Sequence, residues 1–292
     1  MHYDLLISAE QLQDLLASNT PANAPVRIFD CTFDLADVAS GHKQYIESHI
    51  PGAVYAHLDT ALSDKHGTGV SGGRHPLPSR EKFAIWLSNV GMANNMQAVV
   101  YDRNGANYCG RLWWMLKWAG HAHVAVLDGG LQAWQAAGGS VASGEEPSHF
   151  QTSFNLAPAL STLVATKTVA DNLGRPIQTL IDARGGPRFR GEVEPLDSVA
   201  GHIPGALNRP FSQNMGADGK FKPADVLRAE FEVLLAGRDP ASVVHQCGSG
   251  VSAVPNILAM QLAGLGDVST LGLYAGSWSD WCSDASRPMA LG

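Results

Sequence analysis

Apolar residues along the chain fall into two alternating rhythms. Ser8 is placed to cap a helix, with Gln11 three residues on, and Leu12, Leu15 and Leu16 follow at helical spacing. A short apolar run at 26–29 predicts a strand ending at Asp30. HIPGA then predicts a turn, because Pro51 sets φ and Gly52 permits a backbone that other residues avoid. Residues 79–90 predict a helix with Phe83, Trp86 and Leu87 on one face, closed by Gly91. Its partner at 223–236 carries Leu227, Phe231, Leu234 and Leu235 and is closed by Gly237. Buried strands are predicted at 98–101 and 242–245, each followed by a loop and another helix. Short β-rich runs alternating with helices define an α/β fold with mostly parallel sheets flanked by helices.

The pattern occurs twice. SHIPGAV around His49 recurs as GHIPGAL around His202, and RIFDCTF around Asp30 pairs with TLIDARG around Asp182. AVVYD around Val99 pairs with SVVHQ around Val243, and LDGGLQAW ending at Trp134 pairs with YAGSWSDW ending at Trp281. Four matches in one order, at an offset of roughly 150 residues, predict a duplicated domain rather than a solenoid, whose period is shorter. The expected boundaries are 1–140 for the first domain, 141–160 for a polar, Gly- and Pro-punctuated linker, and 161–292 for the second.

Composition narrows the function. The chain is 45% hydrophobic and 16% charged, which argues against disorder, and 20 Lys and Arg against 27 Asp and Glu give a net charge of −7. Net acidity without a basic block makes nucleic acid an unsuitable partner. No apolar run approaches the roughly 20 residues that span a bilayer. MHYDLLISAEQLQDLL lacks a basic segment followed by an apolar core, so no signal peptide and no membrane partner is expected. The four cysteines, Cys31, Cys109, Cys247 and Cys282, form no CxxC pair. They fit neither a zinc ribbon nor a disulfide framework, and reduced thiols in a cytoplasmic protein are expected.

One cysteine has distinctive surroundings. Cys247 follows the strand in VVHQCGSGVSAVPNILAMQLAG, and a Gly-rich loop leads to a helix expected to begin near Val251. Cys247 thus stands at the C-terminal edge of a parallel sheet, where α/β proteins place ligands. Loop N–H groups and the positive end of a helix both favour a thiolate or a bound anion there. Gly248 and Gly250 allow close backbone approach, and Ser249 and Ser252 add hydroxyls. The matching position in the first half falls at Asp102 or Arg103, inside the longer loop YDRNGANYCGR, with no thiol at that point.

The duplicated HIPGA, DAR…RFRG at 182–191, CGSGVS at 247–252 and GSW at 276–278 together resemble the tandem-domain rhodanese-type sulfurtransferases over essentially the whole chain. The resemblance implies two similar domains, the first inactive and the second carrying a nucleophilic cysteine. It implies sulfur transfer from a small-molecule donor through a persulfide on Cys247 to a thiol acceptor such as thioredoxin, or to cyanide. No metal or organic cofactor is required. The loop Cys247-Gly248-Ser249-Gly250 is similar to that of members acting on 3-mercaptopyruvate, whereas members acting on thiosulfate carry Cys-Arg-Lys-Gly. Thiosulfate is a dianion whose departing sulfite calls for cations, while mercaptopyruvate needs its carboxylate held at the pocket wall.

By the same resemblance Arg188 in GPRFRG binds that carboxylate, bidentately. The loop residues Gly248, Gly250, Val251 and Ser252 line the substrate site, with Ser252 standing where the family usually has Thr. Asp59, His75 and Ser249 match a proton relay, needed because loss of sulfur leaves an enolate that must take up a proton. As His75 and Asp59 come from the first half, the site is expected to draw on both halves. One departure stands out: Leu196 takes the place of a second substrate arginine, which leaves the donor less defined. Asp182 and Arg184 are expected to fix the strand end. Tyr108, Arg111 and Trp278 are expected in the core or the pocket wall, and Cys31, Cys109 and Cys282 are expected to be structural.

Three other readings compete: a thiosulfate:cyanide sulfurtransferase with the same intermediate, a cysteine phosphatase, and a non-catalytic binding or sulfur-carrier module. A phosphatase needs an arginine six residues after its cysteine; here that residue is Ala253, and the next arginine is Arg287. A bare carrier module would not need the thiol, the Gly cradle and Asp59 with His75 together.

Overall fold

The capping box at Ser8 forms as the sequence predicts. In the computed structural model, which describes residues 2–18, 25–67 and 69–292, the Ser8 hydroxyl accepts the N–H of Gln11, and the Gln11 side chain accepts the N–H of Ser8. This fixes helix α1 (Ala9–Ala17) after strand β1 (Leu6–Ile7). Contacts divide the chain into two compact units. The first comprises Met1–Leu62, Pro78–Leu160 and Ala217–Lys220, and the second Ser63–Leu77, Ser161–Gly216 and Phe221–Gly292. Among the described residues no helix is long and apolar enough to cross a membrane.

The first unit continues with β2 (Val26–Asp30), α2 (Ser40–Glu47), β3 (Val54–Tyr55), α3 (Arg80–Asn89), β4 (Gln97–Tyr101), α4 (Cys109–Trp118), β5 (Val124–Leu127) and α5 (Gly130–Ala136). Its strands pair in parallel in the order β1-β5-β4-β2-β3. All ten residues of α4 are buried, as befits a helix apolar nearly all round. The HIPGA turn closes with Ala53 N–H on Ile50 O at 3.0 Å and Gly52 at φ +76°. Residues 138–160 contain no named helix or strand and are tied to this unit, with Ala142 bridging His49, Thr152 N–H on Ser88 O and Ala157 N–H on Ala119 O.

The second unit repeats the plan with β6 (Thr162–Leu163), α6 (Thr166–Asp171), β7 (Thr179–Asp182), α7 (Gly186–Phe189), β8 (Leu207–Asn208), α8 (Ala224–Leu235), β9 (Val243–Gln246), α9 (Val254–Leu262), β10 (Gly272–Leu273) and α10 (Ser277–Trp281). The order β6-β10-β9-β7-β8 matches the first sheet position for position, and the pairings between these strands are again parallel. Helix α8 ends with Ala236 at φ +49°, one residue before the glycine expected to close it.

The loops after the two central strands differ sharply. After β4, the buried Asp102 turns its carboxylate back onto its own loop. Oδ1 accepts the N–H groups of Asn104 (2.8 Å) and Ala106 (3.1 Å), and Oδ2 those of Tyr108 (2.8 Å) and Cys109 (2.9 Å). The cradle of the first unit is therefore filled by a side chain of the loop itself. Replacing Asp102 by Ala strands these donors, each worth about 1–3 kcal/mol when buried without a partner. Urea denaturation of Asp102→Ala should show a loss of roughly 3 kcal/mol or more; a loss below about 1 kcal/mol, the net value of one ordinary hydrogen bond, would contradict this account.

Candidate active site

Strand β9 delivers Cys247 to the carboxyl edge of its sheet. Val243, Val244, His245 and Gln246 are all buried, and Cys247 follows directly with a relative exposure of 2%. The backbone of Cys247 is fixed from α10: its N–H donates to Ser277 Oγ at 3.0 Å, and its carbonyl accepts the N–H of Trp278 at 3.0 Å. The Gly248 carbonyl accepts the N–H of Ser279 at 2.9 Å. Ser277 itself adopts φ +55° and donates to Tyr274 O. The Cys247 and Gly248 carbonyls, on one side of the loop, are thus satisfied. The loop's amide side is not: among the described residues, nothing accepts the N–H groups of Gly248, Ser249, Val251 or Ser252. This is the open counterpart of the loop that Asp102 fills.

Helix α9 starts at Val254, three residues later than the sequence suggested. Gly250 at φ +74° turns the chain out of the helical path. Val254 N–H closes a turn on Val251 O at 3.2 Å, and Pro255 takes a first-turn position where no N–H is needed. Val251 and Ser252 therefore stay in the loop beside Cys247, Val251 buried and Ser252 half-buried.

His75 is supplied by the segment Ser63–Leu77, which belongs to the second unit although it lies in the first half of the sequence. The segment is held by Asp64 N–H on Pro76 O, Val70 N–H on Leu77 O and Leu77 N–H on Ser71 Oγ, each at 2.9 Å, and by Arg74 N–H on Ser279 Oγ at 3.0 Å. It sets the buried His75 with Nδ1 2.7 Å from Ser249 Oγ. Two members of the expected relay therefore meet. Asp59 belongs to the first unit, where its N–H donates to His57 Nδ1 at 3.1 Å.

Charged groups converge on the same loop. Arg188 rides on the short helix α7 and grips Glu194, Nε to Oε2 at 3.2 Å and Nη2 to Oε1 at 2.6 Å. Its Nη2 also reaches Asp197 Oδ2 at 3.1 Å, and Arg74 Nη1 binds Asp197 Oδ1. A Cβ placed on Gly248 would lie 3.2 Å from Arg74 Nη2 and 3.5 Å from Arg188 Nη1, so both guanidinium groups stand over the residue after the cysteine. Burial opposes ionisation of Glu194, yet Arg188 and two backbone N–H groups hold its carboxyl below the ordinary range. For Asp197 burial prevails and pushes the carboxyl up, despite Arg74 and Arg188. Arg184 is locked on Asp182 (Nη2 to Oδ2, 2.7 Å), lies 5.0 Å from the Trp278 ring centre and is within electrostatic reach of Cys247.

The weaker candidates are packing residues. Trp278 is fully buried and donates to Val199 O, while Tyr108 and Arg111 are buried in the first unit, where Arg111 donates to Leu62 O. Burial raises the thiol pKa of Cys31, Cys109 and Cys282. Leu196 is 42% exposed and contributes only its N–H, to Glu194. Sequence reasoning passed over Arg74, Glu194, Asp197 and Ser277. The one sequence signal for Arg74 was its place next to His75 in GGRHPLP.

The sequence pattern of the rhodanese-like domain matches residues 8–137 and again 165–284. The chain belongs to the rhodanese family and contains two such domains. It is 43% identical over 291 residues to a Pseudomonas aeruginosa protein named "Probable 3-mercaptopyruvate sulfurtransferase", covering 98% of each chain. It is 31% identical over 287 residues to the thiosulfate sulfurtransferase of Mus musculus, covering 96% of this chain and 92% of the other. Among solved structures it resembles the 3-mercaptopyruvate sulfotransferase SseA from Escherichia coli, with a TM-score of 0.78, 29% identity, and coverage of 95% of this chain and 100% of the other.

Gly250 tests how tightly this loop is built. A Cβ there would fall 2.2 Å from Ala275 O, at a φ that costs a non-glycine residue about 1–2 kcal/mol before any clash is counted. Gly250→Ala should lower stability in urea by at least that amount and abolish labelling of Cys247 at its native rate; a variant as stable and as reactive as the parent would refute the geometry.

Proposed function

We propose that the protein is a sulfurtransferase that takes sulfur from 3-mercaptopyruvate. The observation that carries this reading is Cys247 at the end of β9, beside a loop with unengaged N–H groups and a Ser249 hydroxyl bound to His75. The Cys247 thiolate attacks the donor sulfur. The carbon–sulfur bond breaks, its electron pair leaves with the pyruvate enolate, and a Cys247 persulfide remains. The enolate then takes a proton at carbon and departs as pyruvate. His75 and Ser249 move that proton, the imidazole orienting the hydroxyl through the 2.7 Å contact. Asp59 completes the relay on the strength of the family resemblance alone. Arg188 anchors the donor carboxylate, and Gly248, Gly250, Val251 and Ser252 present the backbone that stabilises the sulfur anion. A thiol such as reduced thioredoxin, or cyanide, removes the outer sulfur and regenerates the Cys247 thiolate. The expected place of work is the cytoplasm, without nucleic acid or membrane.

A second reading, thiosulfate as donor, draws support from the arginines beside the loop. The balance of charge speaks against it: Arg74, Arg184 and Arg188 face Asp197, Asp182 and Glu194, so the surroundings suit a monoanion better than a dianion. Specificity constants for the two donors decide between them.

Intact-mass measurement after incubation with 3-mercaptopyruvate should show the gain of one sulfur atom, lost in Cys247→Ser; an unchanged mass in the parent protein would overturn the proposal. His75→Ala should lower kcat with mercaptopyruvate by about 10²–10⁴-fold, the usual contribution of a positioned proton-transfer group. With thiosulfate the fall should be far smaller, because departing sulfite needs no proton at carbon. Equal falls for both donors would remove His75 from the proton relay.

A further inference from the structure

The two units differ at a second place, the groove beside the HIPGA turn. In the first unit Ala142 bridges to His49, and the chain then runs past the turn and the end of α3 without forming a helix or strand. Glu146 Oε1 accepts the N–H of Gly52 at 2.7 Å and lies 3.1 Å from His49 Nε2. Further on, this segment packs on Gly91, where an added Cβ would meet His149 Cβ at 2.7 Å and Phe150 O at 3.0 Å. Arg27 fills the remaining space and donates to Gly91 O at 3.0 Å. The second unit keeps the same frame. Ala290 bridges to His202, His202 Nδ1 lies 2.9 Å from Phe189 O as His49 Nδ1 lies 2.7 Å from Tyr45 O, and Ala206 N–H on Ile203 O repeats Ala53 N–H on Ile50 O. Here the groove is open. Among the described residues nothing accepts the Gly205 N–H, and His202 Nε2 has no partner although the residue is only 7% exposed. A Cβ on Gly205 or Gly237 would meet nothing within 4 Å. Thr179, three residues before Asp182, stands where Arg27 stands before Asp30.

We propose that this groove docks an acidic, non-helical segment of a partner protein, with one carboxylate on the Gly205 N–H and His202 Nε2 and a second acidic group between Arg175 and Arg238. The groove encloses about 600 Å³ at the amino ends of β7 and β9, on the opposite edge of the sheet from Cys247, so the proposal stands apart from the sulfur-transfer reading. The occupant is argued from the first unit, where residues 145–150 of this chain fill the matching place and Glu146 makes the matching contact. A single small anion reaches the Gly205 end alone, whereas a peptide spans from Gly205 to Gly237 as residues 146–150 span from Gly52 to Gly91. Charge agrees: Arg175 and Arg238 line the groove, and Asp239, the acid among the lining residues, is turned onto the N–H of Ala241 at 2.9 Å. Ile177, 68% exposed beside Arg175 and Pro176, offers an apolar contact at the rim.

The test titrates the full chain into a fluorescein-labelled peptide of residues 140–154, SVASGEEPSHFQTSF, with anisotropy as the readout. Saturable binding is expected, and it should weaken as salt rises. Combining Arg175→Glu with Arg238→Glu should weaken it by about tenfold or more, and so should Glu145→Gln with Glu146→Gln in the peptide. Both arginines are exposed, so their replacement leaves the core intact, and the altered peptide tests the same contacts on unaltered protein. A photo-cross-linking phenylalanine analogue at the Phe150 position of the peptide should label residues 173–180 or 236–239. Absence of saturable binding, equal affinity in the double variant, or cross-links confined to the first unit would overturn the inference. Two further results would also overturn it by assigning the groove elsewhere. Displacement of the peptide by acetate at fixed ionic strength would make it a small-anion site. A dimer in sedimentation velocity that the double variant abolishes would give it to a second copy of this chain.

Discussion

Buried peptide N–H groups must meet an acceptor, and the two halves of this chain meet that demand in opposite ways. In the first unit the carboxylate of Asp102 accepts four loop N–H groups, those of Ala106, Tyr108 and Cys109 from buried residues, and closes the loop on itself. In the second unit a cysteine stands at the same strand end, its own N–H goes to Ser277, and among the described residues nothing accepts the N–H groups of Gly248, Ser249, Val251 or Ser252. An unmet donor costs about 1–3 kcal/mol, so such a loop holds its shape only because neighbouring groups fix its carbonyls. Helix α10 does this through the N–H groups of Trp278 and Ser279. Duplication followed by divergence of these two loops accounts for one closed loop and one open one.

The charges around the open loop are arranged as pairs. Asp182 and Arg184 pair in the interior after β7, with the Arg184 guanidinium over the Trp278 ring. Glu194 and Asp197 hold Arg188, and Asp197 also holds Arg74. Each cation is paired with a buried carboxylate, which keeps long side chains in one geometry and reduces the entropy lost when an anion is bound.

Much of this was legible in the residues. The capping box at Ser8, the helix after Ser79, the HIPGA turns and the central strands follow from spacing and turn chemistry, and they form as expected. Cys247 and Asp102 could be matched because the repeat aligns the two strand ends. The start of α9 was less legible, since a Gly-rich stretch satisfies both a loop and a helix entrance until the φ of Gly250 is known. Arg74 was hidden for another reason. Its importance comes from tertiary placement beside Gly248, and no local pattern separates it from a surface arginine.

The segment Ser63–Leu77 has a consequence for how the two halves depend on each other. It lies in the first half of the chain but folds as part of the second unit, bringing the imidazole and one guanidinium to the thiol loop. The repeat has thereby lost its modularity. A polypeptide beginning at Ser161 would carry the thiol but neither Arg74 nor His75, and the first repeat, sealed by Asp102, persists as a donor of parts to its sibling. A side chain at Gly72 or Gly73, remote in sequence from the cysteine, would press on Asp280 or on Gly276 O and so disturb the same loop from a distance.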